Sequence, residues 1–144
     1  MAIAFSSKTE AYKEFSNFHP SPMTIDGLTY KTVEHFFQSQ KFPTSPELQA
    51  KIREAPTPVG AKRMGKRPSP HFRADWDQVK DGIMLQGLKA KFQDPALAAL
   101  LKGTGTAYLQ EASPWDSYWG TGKSGCGKNQ MGKLLMQVRT GLNQ

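Results

Sequence analysis

The residues with chemistry to offer gather in two stretches. In the first, Val33-Glu34-His35-Phe36-Phe37-Gln38-Ser39-Gln40-Lys41-Phe42 sets a carboxylate, an amide and an ammonium at positions 34, 38 and 41. At roughly 100° per residue these three share one narrow stripe of a helix, while Val33, Phe36 and Phe37 cover another face. Such a stripe has two readings. It is a solvated polar face with an i,i+4-type network, or it is a cleft wall in which Glu34 is a base or electrostatic stabiliser and Lys41 clamps an anion. In the second stretch, Ser113-Pro114-Trp115-Asp116-Ser117-Tyr118-Trp119-Gly120 places Asp116 inside an aromatic run. Aromatics stack on planar bases, and a carboxylate holds sugar hydroxyls or a water. The same residues also suit a turn capped by Asp116 with the aromatics as core. Trp76, after Arg73-Ala74-Asp75, is either core or a stacking face with a cation beside it.

A glycine-rich loop follows the aromatic run. Gly120-Thr121-Gly122-Lys123-Ser124-Gly125 fits the dinucleotide pattern G-x-G-x-x-G, and Gly122 through Lys128 fits G-x-x-x-x-G-K. Both fail on context. No buried strand precedes the loop, Asn129 stands where the Mg²⁺-holding Ser or Thr belongs, and too little chain follows for a βαβ unit. What survives is local: a glycine loop opening onto a helix near 129–140, with Lys123 and Lys128 adjacent. It is either a phosphate seat built from backbone N–H groups or a surface loop. Lys62, Arg63, Lys66 and Arg67 form a basic run, either a solvated face or an attractor of anions. Cys126 stays without a role.

The elements that must position these groups are legible in part. Met23 to Tyr30 reads as a hairpin turning at Asp26-Gly27. Thr32 reads as the N-cap of a helix through Phe42. Ser45-Pro46, Thr57-Pro58 and Asp94-Pro95 each put a capping side chain before a proline at the first helical position. They predict helices at 46–54, 58–66 and 95–102. A longer helix is expected from Asp75 to Phe92, with Val79, Ile83, Met84, Leu88 and Phe92 inward, and another from Asn129 to Thr140. Residues 1–22 read as irregular or short extended pieces, and Ala107-Tyr108-Leu109 as one short strand.

With 144 residues the chain has room for one domain, taken as 1–144. Hydrophobic content of 38% and charged content of 22% are ordinary globular usage. Nineteen basic against twelve acidic side chains give +7, which points toward an anionic ligand. No run of apolar residues is long enough for a membrane span, and the N-terminus has no secretory pattern. One cysteine excludes an internal disulfide and fits a reducing, cytoplasmic compartment. His19, His35 and His71 are scattered, so no metal site is expected.

Five motifs in order resemble the NADAR superfamily and its YbiA-like N-glycosidases. They are Phe15-Ser16-Asn17-Phe18, Glu34 through Phe42, Ala61-Lys62-Arg63-Met64-Gly65, Asp75-Trp76, and Asp116-Ser117-Tyr118-Trp119-Gly120-x-Gly122 with Gly127-Lys128-Asn129 through Arg139. The likeness runs over residues 12–141. It implies a mainly helical α+β domain with a small β component and no metal or redox cofactor. It implies cleavage of an N-glycosidic bond, either in phosphorylated early riboflavin-pathway intermediates or in ADP-ribosylated guanine of nucleic acid. A non-catalytic module that binds ADP-ribose or a nucleotide is the alternative class. By motif position Glu34, Lys41, Trp76 and Asp116 become the catalytic candidates. Asn17, Phe18, Gln38, Arg63, Tyr118, Trp119, Gly120, Lys128 and Asn129 become the substrate-binding ones. The expected mechanism brings Glu34 and Asp116 to one sugar's anomeric carbon. Ser113-Pro114-Trp115 falls outside the family pattern and bears on substrate choice.

Overall fold

The computed structural model describes residues 1–143 and shows a mainly helical α+β chain. Contacts divide it into a mid-chain unit, Pro20–Lys91, and a terminal unit made of Met1–His19 and Phe92 onward.

The mid-chain unit opens with a hairpin that pairs β2 (Met23–Ile25) with β3 (Leu28–Tyr30), Met23 opposite Tyr30 and Ile25 opposite Leu28; strand β1 (Ala2–Phe5) belongs to the terminal unit. Asp26 and Gly27 have φ of 51° and 81°. Both being positive, they make the turn whose twist matches antiparallel strands. Helix α1 (Val33–Ser39) is buried along its whole length and packs on α2 (Pro46–Arg53), α3 (Pro58–Lys66), α4 (Trp76–Lys91) and β3. Gly87 of α4 permits this approach, since a Cβ there would stand 3.1 Å from Phe36 and 3.2 Å from Val33. Phe42, Ile52, Ala55 and Ala61 form a small core beneath α2 and α3. The predicted caps are in place: Ser45 accepts from Leu48 N, Thr57 from Gly60 N and, in the terminal unit, Asp94 from Leu97 N.

The terminal unit pairs β1 (Ala2–Phe5) with β4 (Tyr108–Glu111) in parallel, Ala2 opposite Tyr108. A short 3₁₀ turn, Lys13–Phe15, packs Phe15 against Phe5 and Phe92. Helix α6 (Gln130–Leu142) lies on β4 and on α5 (Pro95–Lys102). Buried Arg139 donates through one nitrogen to Thr104 Oγ1 and the Ala107 carbonyl, both at 2.8 Å. Gly132 is required by the packing of α6, because a Cβ would collide with the Leu109 carbonyl oxygen.

Several boundaries differ from expectation. Residues 1–22 contain β1, whose partner lies far along the chain. α1 stops at Ser39, and Lys41 and Phe42 continue only as tight turns to the Gln38 and Ser39 carbonyls. Pro43 disfavours the helical conformation for the residue before it. α4 begins at Trp76, with the Asp75 carbonyl accepting its first bonds from Gln78 and Val79 N and the Asp75 side chain paired with Arg73. α6 begins at Gln130 and runs on to Leu142, and β4 covers 108–111. Val79 and Ile83 are half-buried, whereas Met84, Leu88 and Phe92 are core.

Two glycines in helices predict opposite outcomes. Gly82 faces open space, so Gly82→Ala should raise stability by up to about 1 kcal/mol. Gly132→Ala should lower it by about 1–3 kcal/mol through overpacking against the strand backbone. Denaturant melts check both; equal and stabilising effects would contradict the packing described.

Candidate active site

The start of α1 is fixed by Thr32, whose Oγ1 accepts from His35 N and bonds His35 Nδ1 at 2.8 Å. His35 Nε2 lies 2.9 Å from the Ala55 carbonyl. A carbonyl only accepts, so Nε2 carries the proton and Nδ1 accepts from the Thr32 hydroxyl. Burial holds the His35 pKa below its ordinary value, the Ala55 carbonyl opposes this, and nearby Lys31 adds to it. The histidine is a clamp between α1 and the end of α2, with neither nitrogen available for proton transfer.

That clamp sets the phase of the next turns. Glu34 is 7% exposed, and its Oε2 accepts from Gln38 Nε2 at 2.6 Å. Lys41 follows the helix and is partly buried, its Nζ 3.5 Å from the Gly65 carbonyl and 5.6 Å over the Trp76 ring. Burial lowers the Lys41 pKa, attraction by Glu34 opposes the shift, and Lys66 and Lys62 of α3 lower it further. Trp76 is 9% exposed and tilts against Phe37, 4.9 Å away. It therefore has one edge on the core and a cation over its ring. The cation over the ring is Lys41, while Arg73 holds Asp75 at 2.7 and 3.1 Å. The Arg73 N–H donates to the Lys41 carbonyl at 2.9 Å, fastening the segment before Trp76 onto the turn after α1. Arg63 is exposed on α3.

In the terminal unit, Asp116 Oδ1 accepts from Tyr118 N at 2.9 Å and Trp119 N at 2.8 Å. The carboxylate thus organises the turn that presents both rings, which meet edge to face at 4.8 Å. Lys128 Nζ lies 5.4 Å over the Tyr118 ring. Asn17 is buried, Phe18 half-buried, and Trp115 is 90% exposed. Gly120 admits the Glu111 and Asp116 carbonyls where a Cβ would meet them at 2.9 and 3.0 Å.

Two expectations change here. The amides that would have seated a phosphate are already donors: Thr121 to Glu111, Gly122 to Ser113, Gly127 to Thr121, Lys128 to Ser117, Asn129 to Gly120, Gln130 to Tyr118 and Met131 to Trp119. Backbone carbonyls occupy the positive end of α6, so the loop is a backbone knot and not an open anion nest. Asn129 is not a substrate-facing amide in this structure. It is buried, accepts from Glu111 N at 2.9 Å and donates to the Leu109 carbonyl at 2.8 Å, tying the knot to β4. Its φ of 52° and lack of a cap bond explain why α6 starts one residue later than predicted. The four catalytic candidates divide between the units: Glu34, Lys41 and Trp76 gather in one, and Asp116 belongs to the other. Gly65 closes the Ala61–Gly65 motif but carries no role in the sequence reading; only the fold puts it against Gln38.

The Asp116 turn separates structure from chemistry by substitution. Asp116→Asn keeps an oxygen for both N–H groups and should melt with the wild type. Asp116→Ala should lose about 1–3 kcal/mol. An alanine variant that melts unchanged contradicts the turn; a kcat loss confined to the asparagine variant's chemistry would give the carboxylate a further duty.

The NADAR domain family model matches residues 4–143. N-glycosidase YbiA of Escherichia coli strain K12 is 44% identical over 138 residues, 95% of this chain and 86% of that protein. The riboflavin biosynthesis protein PYRR, chloroplastic, of Zea mays is 35% identical over 153 residues, 96% of this chain and 25% of that protein. The NMR structure of the E. coli protein YbiA superposes with a TM-score of 0.90 at 42% identity, covering 99% of this chain and 85% of that one. A family model spanning nearly every residue, together with close likeness in sequence and fold, shows that this chain belongs to the NADAR domain family.

Proposed function

We propose that this chain is an N-glycosidase that hydrolyses the ribosyl C–N bond of a phosphorylated early intermediate of the riboflavin pathway, and that it needs no metal. Relatives named N-glycosidase and riboflavin biosynthesis protein support the bond and the substrate class. The family model runs through both units, which supports reading them as one functional domain. The observation that carries the proposal is the buried Glu34 carboxylate, held by an amide and flanked by the Lys41 ammonium.

The chemistry follows from charge. As the C1′–N bond stretches, positive charge develops on C1′ and the ring oxygen. Glu34 opposes that charge and takes a proton from the attacking water. The water oxygen bonds C1′, the C–N electron pair leaves with the base, and that nitrogen collects a proton. Lys41 holds the substrate phosphate or donates a proton to the departing nitrogen, which otherwise takes it from solvent. Trp76 walls the site against solvent, in keeping with its burial. Glu34 rather than Asp116 is given the base role because it shares its unit with Lys41 and Trp76, whereas Asp116 Oδ1 shapes the aromatic turn by accepting two backbone N–H groups.

Purified protein with a riboflavin-pathway phosphoribosylamine should release the free base and ribose phosphate by mass spectrometry, with the rate unchanged by a chelator. ADP-ribosyl-guanosine and NAD offered in parallel should remain intact. Glu34→Gln should lower kcat by at least about a hundredfold while melting like the wild type; full turnover in that variant would refute the assignment. The Lys41 pKa is lowered, so its proton leaves at lower pH than that of an exposed lysine. The kcat/KM profile should therefore fall on its alkaline side below pH 10.5, and Lys41→Arg should remove that limb, arginine staying charged. An identical limb in the arginine variant would assign it to another group.

A further inference from the structure

Gln38 is 3% exposed, yet its Oε1 has no hydrogen-bond partner among the described residues. A buried orphan acceptor calls for a physical reason. Glu34 supplies it. An ionised carboxylate only accepts, so the amide end facing Glu34 Oε2 at 2.6 Å must be the Nε2 donor. The carbonyl end is then turned away, onto Gly65. There a Cβ would collide with Gln38 Oε1 and stand 2.7 Å from Gln38 Cδ. The backbone of α3 thus closes over the amide, and the Gly65 carbonyl lies 3.5 Å from Lys41 Nζ.

We infer that Gln38, seated against Gly65, is a positioning residue that orients the Glu34 carboxylate and keeps it ionised for the reaction. The inference rests on the reading of Glu34 as the reacting carboxylate. Gln38 acts on the substrate only through Glu34: its Nε2 faces the carboxylate and its Oε1 is enclosed. The fold accepts one unsatisfied oxygen because the alternative orientation would set two acceptors face to face. Lys41, after α1, and Lys62 and Lys66 of α3 act on this site, and Lys31 acts on His35; the other charges on the helices packed against α1 are Glu47, Lys51 and Arg53 of α2, Arg63 of α3, and Asp77, Lys80, Asp81, Lys89 and Lys91 of α4. These stay constant when only position 38 changes, so a shift in the pH profile reports the amide.

The test compares wild type, Gln38→Leu, Gln38→Glu and Glu34→Gln on the phosphoribosylamine, reading kcat and KM across pH. A ¹³C carboxyl NMR titration of Glu34 accompanies it. A donor to the charged form lowers a carboxyl pKa. Gln38→Leu should move both the Glu34 titration and the acidic limb of kcat/KM upward by about one pH unit. KM at high pH should stay within about twofold. Gln38→Glu keeps the size and sets a second carboxylate against Glu34, so its limb should move further up. If the leucine variant does not fold, the glutamate variant gives the same reading. An inactive Glu34→Gln with an unmoved limb and an unmoved carboxyl titration at both substitutions overturns the positioning role alone. A fully active Glu34→Gln overturns the underlying reading, whatever position 38 does.

Discussion

A buried carboxylate governs the mid-chain unit. Removing a carboxylate from water costs several kcal/mol unless donors replace the hydration, and Glu34 is 7% exposed. α1 answers with an amide one turn along, and the following turn brings up an ammonium. Around them everything is arranged to keep that geometry. Thr32 and His35 set where the helix begins, Pro43 sets where it can no longer continue, and Arg73 ties Trp76 to the turn carrying Lys41. The glycines at 65 and 87 let the backbones of α3 and α4 press directly onto the Gln38, Phe36 and Val33 side chains of α1.

The terminal unit follows a different logic. Its glycine-rich segment brings carbonyls to the α6 amides, so backbone meets backbone and the loop is satisfied within itself. Asn129 and Asp116 are the side chains that hold the arrangement, one to β4 and the other to the aromatic turn. Those backbone amides are therefore engaged inside the fold rather than left as an open set of N–H groups. In the mid-chain unit Lys62 and Lys66 act electrostatically on Lys41, and in the terminal unit Lys128 lies over Tyr118.

Much of this was legible where the cause is local. Proline after a capping residue marked three helices, and Asp26-Gly27 marked the hairpin, because each signal acts within four residues. The stripe of Glu34, Gln38 and Lys41 was visible for the same reason. Distant partners were not. Nothing near Ala2 announces its pairing with Tyr108, and nothing near Gly65 announces Gln38. The glycine loop misled because composition reports how freely a backbone can turn, not which carbonyls will occupy its amides. The family motifs supplied what spacing could not, the family itself.

The account stands on a sugar reacting beside α1. The most direct measurement is a crystal structure of the Glu34→Gln protein with the intact phosphoribosylamine bound. The account predicts the anomeric carbon within about 3–4 Å of the residue-34 side chain, with Lys41 toward the phosphate or the departing nitrogen. A ribose seated away from α1, or a residue 34 still sealed from the sugar, would contradict it.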